Sequence, residues 1–574
     1  MTVHGIFLLA YQRMASQMAE SVRISFLGGL GEIGRNCACI ELEGRMLLLD
    51  CGVMFPGPDT PGIDLVLPDF SYLKQNADRI EGCVLTHGHE DHVGGLAFLL
   101  RDIPSLSIYG SELTLGLASN RISEAGMSGR ARLVPVRDSE RRSIGPFDVE
   151  FIPVTHSVPH GFATALHTPQ GVVLHSGDFK LDLTPVDART TDLARIGGIA
   201  CDEGIRLLLS DSTNADQPGF TASESAIGEV LRALFERCDD RRILTTCFAS
   251  HIHRIQQVIN AAAATGRVVA TLGRSMAKNL ALATSLGVVQ IPKGLLVDID
   301  DIDDYDPGRV CVISTGSQGE PMSALSLLAA GQNRFLKVMP GDVVIVSAHA
   351  IPGNEWAVAK VIDGLCRLGA EVVYEGVDEV HASGHAKQGE LKTLLSVAEP
   401  EWFIPVHGEY RHLVSHARLA QRMGVPSANA IVCEDGDSVV LDDDGLRRDA
   451  KVPAAYLFVD GIVGGVGHGV LRDRRTLAEE GVVMVVVTLD SQTGAILTGP
   501  EIETRGWVHA PEADELIDDL RRAAASAIKA LPGKHGAGPL EPEIVSRAVR
   551  TAVAKVVGER TRRRPMIVPV IMDA

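Results

Sequence analysis

The sequence predicts an α/β protein of several domains, one of which is interrupted by another. Short β-rich runs fill residues 21–219 and end in a polar residue where the strand gives out, as in "RMLLLD", "GCVLTHG", "GVVLHSGD" and "IRLLLSDS". From 220 to 375 the texture changes to alternating helices and apolar strands, a βαβ rhythm that implies a parallel sheet covered on both faces. Over 376–444 the first texture returns, with "EWFIPVHG" again a strand ending in a polar cluster.

The 574 residues leave room for three or four domains. Residues 1–20 hold a brief apolar piece without the basic leader or small-residue cleavage site of a signal peptide. They are expected to be a disordered extension or a misassigned start, with Met14 and Met18 as other starts. The first convincing strand begins at "VRISFLGG". In the middle region "SESAIGEVLRALFERC" and "IHRIQQVINAAAATG" read as helices, and "RILTTCF" and "RVVATLG" as strands. The charged "LDDDGLRRDAK" is read as leading through a linker at 445–455 into a C-terminal α+β domain, 456–574, where "VVMVVV" is a buried strand. No internal repeat is visible.

Net charge is −19, which argues against a general nucleic-acid coat but not against an enzyme that concentrates positive charge in one groove. No apolar run approaches the roughly 18 residues of a membrane span. The ten cysteines form no CxxC pair; Cys37 and Cys39 read as reduced, buried strand residues rather than a soft metal site, which points to the cytoplasm.

The chemistry starts in "CVLTHGHEDHVGG". His87, His89, Asp91 and His92 follow an apolar strand within six positions, poor material for a core or a helix and good ligands for Zn²⁺ or Mn²⁺. A solvated His-rich loop is the bland alternative, and four ligand types in six positions disfavour it. Other strand ends supply His156 ("VTHSVPH"), Asp178 ("LHSGDFKLD") and His407 ("IPVHGEYRH"). Each is weak alone. Together they complete two sites with a carboxylate able to bridge them, an arrangement suited to phosphodiester hydrolysis.

The order of Asp50, HGHEDH, His156, Asp178 and His407 resembles the metallo-β-lactamase fold. "SDSTNADQPG", "HASGHAKQGEL" and "VHGEYRH" resemble its β-CASP nucleic-acid-processing branch. "LGGLGEIGRN", "FASHIHRIQQ", "STGSQGEPMSAL", "IPGNE" and "VLRDRRTLAEEGVVMVVVTLD" resemble the ribonuclease J family, and the likeness runs from Val22 to the last residues. It implies a metallo-β-lactamase αββα sandwich with an inserted β-CASP α/β domain and a C-terminal α+β domain. It also implies a metal held by His87, His89 and His156, a second held by Asp91, His92 and His407, Asp178 bridging them, and Asp50 orienting a ligand imidazole. The ions expected are two divalent cations per chain, Zn²⁺ with Mn²⁺ as the alternative.

Gly/Ser-rich turns after apolar strands cradle phosphate oxygens with backbone N–H groups. The resemblance implies that His381, Ala382, Ser383, Gly384 and His385 grip RNA phosphate, including a 5′-monophosphate, and that Ser250, His251 and Ile252 touch the substrate. His385, with Asp211 nearby, is the candidate to protonate the leaving 3′ oxygen. His251 and His160 depart from the family pattern, which has Asn and Asp there. Arg254, Arg274 and Lys278 are read equally as local positive charge for RNA or as a solvated face, and "RDRRTLAEEG" as salt-bridged surface.

The expected activity is 5′→3′ exonucleolytic and endonucleolytic cleavage of RNA in its maturation and decay. A β-CASP nuclease acting on DNA is the alternative. Thiolester hydrolases and β-lactamases lack the long insertion, a flavodiiron protein wants Glu at position 89, and a non-catalytic scaffold typically loses ligands. The resemblance further implies a homodimer or homotetramer, and partners such as a helicase or a second ribonuclease.

Overall fold

The computed structural model describes residues 21–57, 59–351, 353–461, 463–508, 513–531 and 541–574. The extension expected at 1–20 lies outside them. The described residues fall into two compact units, one reaching Phe55 and resuming over Val66–Leu457, the other made of Pro56–Leu65 and Phe458–Ala574.

The first unit begins as a sandwich of two sheets. An eight-stranded sheet runs in the order Gly445–Asp449, Ser438–Asp442, Val22–Gly28, Cys37–Leu42, Arg45–Leu49, Ile80–Val84, Leu106–Gly110, Ala131–Pro135. A six-stranded sheet runs Trp402–Val406, Ile205–Asp211, Gly171–His175, Gly161–Thr168, Phe147–Val154, Arg141–Ile144. Their inner faces share one apolar core, with Phe26, Ile40, Leu47 and Val84 from the first against Phe151, Phe162, Val173 and Ile404 from the second. Each such fully buried side chain stabilises the sandwich by about 1.5–3 kcal/mol. The outer face of the second sheet is covered by helices Leu193–Asp202, Gln388–Ala398 and Tyr410–Arg422, and helix Glu112–Glu124 lies against the last two strands of the first. This is the αββα arrangement. Cys37 and Cys39 are buried and free in their strand, as read from the sequence.

The insertion is visible in the register. Strand Ile205–Asp211 pairs in parallel with Trp402–Val406, Leu209 facing Ile404. Between them the chain builds a second, all-parallel sheet in the order Val268–Leu272, Val310–Ser314, Ile243–Thr246, Val343–Val346, Glu371–Tyr374. Its alternate residues feed two cores. Ile243, Ile313 and Ile345 meet helices Glu224–Arg237 and Ile252–Ala264 on one face. Leu244, Val312 and Val344 meet helices Ala324–Ala329 and Glu355–Arg367 on the other. The βαβ rhythm of the sequence is this two-sided cover.

Two expectations are corrected. Gly445–Asp449, expected as the start of a linker, is a strand that pairs with Ser438–Asp442 across a tight turn with Gly445 at φ +118°. Its charge density misled the sequence reading, because an edge strand carries outward arginines such as Arg447 and Arg448 against stray pairing. Val482–Leu489 is buried on one side only, Val483, Val485, Val487 and Leu489 facing helices Asp514–Lys529 and Pro542–Thr561. It is the middle of a three-stranded sheet, between Ile496–Arg505 and Met566–Asp573, that helices cover on one face. The "RDRRTLAEEG" surface does carry ion pairs, Arg474 to Asp460 and Arg475 to Asp59.

Arg254 is 0% exposed, so it is not the surface cation for RNA that the sequence allowed. It forms a bidentate pair with Glu224 at 2.8 and 3.0 Å and donates to the Val380 carbonyl at 2.8 Å. Glu224→Ala would strand that guanidinium, with an expected loss of about 3–5 kcal/mol in chemical denaturation; a loss under about 1 kcal/mol would mean that water reaches the pair.

Candidate metal centre

The strands of the sandwich end at one rim, and the polar residues that follow them converge there. Asp50 follows its strand at φ +59° and His407 its own at φ +51°. Both are left-handed positions that a non-glycine residue occupies at a cost, seen where the surroundings fix a side chain for use. The turn His87–His92 lies against the segment after Asp50, where Cys51 N–H donates to His92 O and Val53 N–H to Glu90 O. Only glycine fits between: a Cβ on Gly52 would stand 1.6 Å from Asp91 O.

His87 Nε2 lies 3.0 Å from His89 Nδ1, and His156 Nε2 lies 3.1 Å from the same atom. A tetrahedral site with 2.0–2.1 Å metal–nitrogen bonds has ligand atoms about 3.3 Å apart. Asp178, 3% exposed, turns Oδ2 toward His92, His87 and His156 Nε2 at 3.1, 3.6 and 3.9 Å. Opposite, Asp91 Oδ2 stands 3.3 Å from His407 Nε2 and 3.6 Å from His92 Nε2. Two groups of possible ligands thus share Asp178, one with His87, His89 and His156, the other with Asp91, His92 and His407. A third overlapping group joins Asp178 and His407 to Asp211 and His385.

The donor set fits a cation. Asp178 Oδ2 and His407 Nε2 are buried and make no hydrogen bond, although each faces other ligand-type atoms. Burial pushes the His87, His89 and His156 imidazoles toward the neutral form that ligates, His89 to about 4. Burial works against a charged Asp178, but His407, His92 and His87 outweigh it and hold its carboxyl well below the usual range. His92 and His407 are raised despite burial, chiefly by Asp178.

Around these lie the groups that aim them. Asp50 Oδ2 takes His92 Nδ1 at 2.7 Å and is itself held by Thr86, from N–H at 2.8 Å and Oγ1 at 2.8 Å. Gly384 O meets His156 Nδ1 at 2.7 Å, and a Cβ on Gly384 would stand 2.6 Å from that ring. His385 Nδ1 is 2.8 Å from Asp211 Oδ2. Burial alone would depress this imidazole; Asp211 raises it above its ordinary value.

The substrate residues read from the sequence divide. Ser383 Oγ accepts from Asn214 Nδ2 at 2.9 Å and from His385 N–H at 3.2 Å, and His381 keeps a buried Nδ1 without a partner. Ala382 is buried beneath the loop. Ser250 is half-exposed, whereas the His251 imidazole is buried 3.3 Å from Glu224 and the Ile252 side chain sits in the core, which leaves those two only backbone atoms for a ligand. His160, half-buried, takes φ +62°. Lys278 is paired with Glu124 at 2.6 Å, and Arg274 is exposed.

Sequence reasoning missed two positioning groups. Asn36 donates to Asp91 O at 3.1 Å and sits 3.1 Å from His92 Nε2. Glu390, 1% exposed, accepts the N–H groups of Leu181, Thr221 and Lys387 at 2.9, 2.8 and 2.8 Å. It thereby ties the segments that follow Asp178, Asp211 and His385. Its place in the first turn of helix Gln388–Ala398, where a Glu closes a capping box, was the available signal.

A sandwich interrupted by a parallel domain, with His and Asp side chains able to hold metal gathered at its rim, defines a metal-dependent hydrolase of the metallo-β-lactamase superfamily, β-CASP branch. The model of that superfamily matches residues 30–199, the ribonuclease J β-CASP domain 240–365, the Zn-dependent metallo-hydrolase RNA specificity domain 369–431 and the ribonuclease J C-terminal domain 469–574. Relatives include ribonuclease J 1 of Streptococcus pyogenes, 39% identical over 96% of this chain and 98% of its own. Ribonuclease J of Mycobacterium tuberculosis is 40% identical over 96% and 97%, and ribonuclease J2 of Bacillus subtilis 37% over 98% and 100%. The chain belongs to the ribonuclease J family. A solved protein of unknown function from Enterococcus faecalis shares the fold, with TM-score 0.52 at 16% identity over 73% of this chain and all of that one.

Asp50→Ala, which frees the His92 ring, is expected to weaken metal binding about 10–100-fold. Titration of the chelator-stripped protein with Zn²⁺ measures it, and wild-type affinity would remove Asp50 from the site.

Proposed function

We propose that the chain hydrolyses RNA phosphodiesters with two divalent cations, progressively from 5′-monophosphate ends and also internally. The observation that carries this is the convergence of seven side chains from distant segments on two groups that share Asp178. His87, His89 and His156 with Asp178 would hold one ion, and Asp91, His92 and His407 with Asp178 the other. Imidazole and carboxylate ligation suits Zn²⁺ first, with Mn²⁺ accepted by the same atoms. When bound, such ions supply Lewis acidity that makes water a nucleophile near neutral pH and neutralises phosphate oxygens.

The chain's own groups do the rest. Asp50 and Gly384 fix the His92 and His156 rings through Nδ1, which leaves Nε2 of each aimed inward. The His381–His385 loop, braced by Asn214, offers N–H and hydroxyl groups to a phosphate. His385, its Nδ1 committed to Asp211, keeps Nε2 to deliver a proton to the leaving 3′ oxygen. The match to an RNA specificity domain over 369–431 and the names of the relatives support RNA over DNA as the substrate. Among the described residues no helix is long and apolar enough to cross a membrane. The free cysteines are in keeping with a cytoplasmic site of action, and the family resemblance suggests dimers or tetramers and partners such as a helicase or a second ribonuclease.

Asp178→Ala should abolish cleavage of a 5′-monophosphorylated RNA while the thermal unfolding transition persists. Cleavage at the wild-type rate would sink the mechanism. His385→Ala should lower kcat about 10²–10⁴-fold at unchanged metal content. One RNA bearing a 5′-triphosphate, monophosphate or hydroxyl should be cut fastest as the monophosphate and not at all under chelation; equal rates on all three ends would refute the pocket.

A further inference from the structure

The C-terminal unit carries a run of positive charge that the metal centre does not use. In helix Pro542–Thr561 the inner face is Val545, Val549, Val553 and Val557, all buried against the sheet. The outer face exposes Arg547, Arg550 and Lys555, and Arg562, Arg563 and Arg564 follow, exposed, where Arg562 at φ +57° ends the helix. Among the described residues none of these six makes an ion pair, although Arg474, Arg475, Arg521, Arg522 and Arg560 of the same unit each do. The nearby carboxylates are fewer. Glu543 and Glu559 lie on the helix, and Glu480 accepts the Arg564 N–H at 3.3 Å. In a chain with 73 acidic and 54 basic residues, three cations without an ion pair on this helix and three more directly after it are a local inversion of sign.

We propose that this face is a docking surface for the RNA sugar-phosphate backbone, separate from the metal centre and indifferent to sequence. The proposal rests on RNA being the substrate. Guanidinium groups suit phosphate by their planar, forked donors. Ile544 is the one large apolar side chain exposed on this helix among the described residues, so the face lacks the cluster of anchors of a protein hot spot or a membrane-inserting helix. Its charge also offsets locally the repulsion that a −19 chain exerts on a polyanion. RNA that engages both sites gains from the surface, and RNA that occupies the metal centre alone does not.

The test is steady-state cleavage by the full metal-loaded chain carrying Arg562→Ala, Arg563→Ala and Arg564→Ala together. The substrates are a long unstructured 5′-monophosphorylated RNA and a short oligonucleotide with the same end. Each single-strand phosphate contact contributes about 0.7 to the salt slope, so three contacts make the wild-type KM for long RNA rise roughly 20-fold more than the variant's between about 50 and 200 mM salt. kcat on long RNA and both constants on the short one should stay at wild-type values, and the triple Arg→Lys variant should keep the wild-type slope. An unchanged KM and slope on long RNA would overturn the proposal and leave the face to an acidic protein segment or to solvent. Equal loss on both substrates would overturn it too, because the change would then act through the fold. If the wild type cleaved no RNA at all, the reading of the metal centre would fail instead.

Discussion

The structure turns on one buried carboxylate on which imidazoles converge. Asp178 is buried, ionised and surrounded by imidazoles from three other segments, its Oδ1 3.0 Å from His407 Nδ1 and its Oδ2 facing His87, His92 and His156. A lone charge in such a place would cost several kcal/mol in lost hydration. The site divides the compensation. His87, His89 and His156 are held neutral by burial, and His92 and His407 are drawn toward the charged form by the carboxylates they face.

That convergence has to be maintained against the tendency of each loop to relax. The sandwich does it by placing the site where strands stop, so that every ligand is one or a few residues from a rigid element. Asp50 and His407 are then fixed in left-handed backbone at those ends. Buried ionic joints do the rest at a distance: Glu390 gathers three amides behind the site. Arg254 joins Glu224 to the carbonyl of Val380, one residue before His381. Such joints bring geometric definition more than net stability, since their desolvation consumes most of their attraction.

The candidate ligands were legible in the sequence because their chemistry is rare: four side chains of metal-binding type in six positions after a strand have few other uses. The interruption was legible too, since a change of period from 2 to a βαβ rhythm and back leaves a trace in composition. What escaped depends on three-dimensional neighbours. Arg254 reads as surface charge until Glu224, thirty residues earlier, is seen opposite it. Asn36 acquires a role only because its own segment lies beside the turn of Asp91, to whose carbonyl its N–H donates. The hairpin at Ser438–Asp449 was hidden by its own arginines, which are there because it is an edge. Gly384 was read as a phosphate contact; what the structure shows of it is a carbonyl holding His156.

The pairing of Leu209 with Ile404 has a consequence in time. A ribosome adding about 5–20 residues per second takes roughly 10–40 s to go from one strand to the other. Throughout that interval the nascent chain owns Asp178 and the whole His87–His92 turn but not His407. A chain made in this order cannot close its sandwich or gather all seven convergent side chains until the whole intervening domain has left the ribosome.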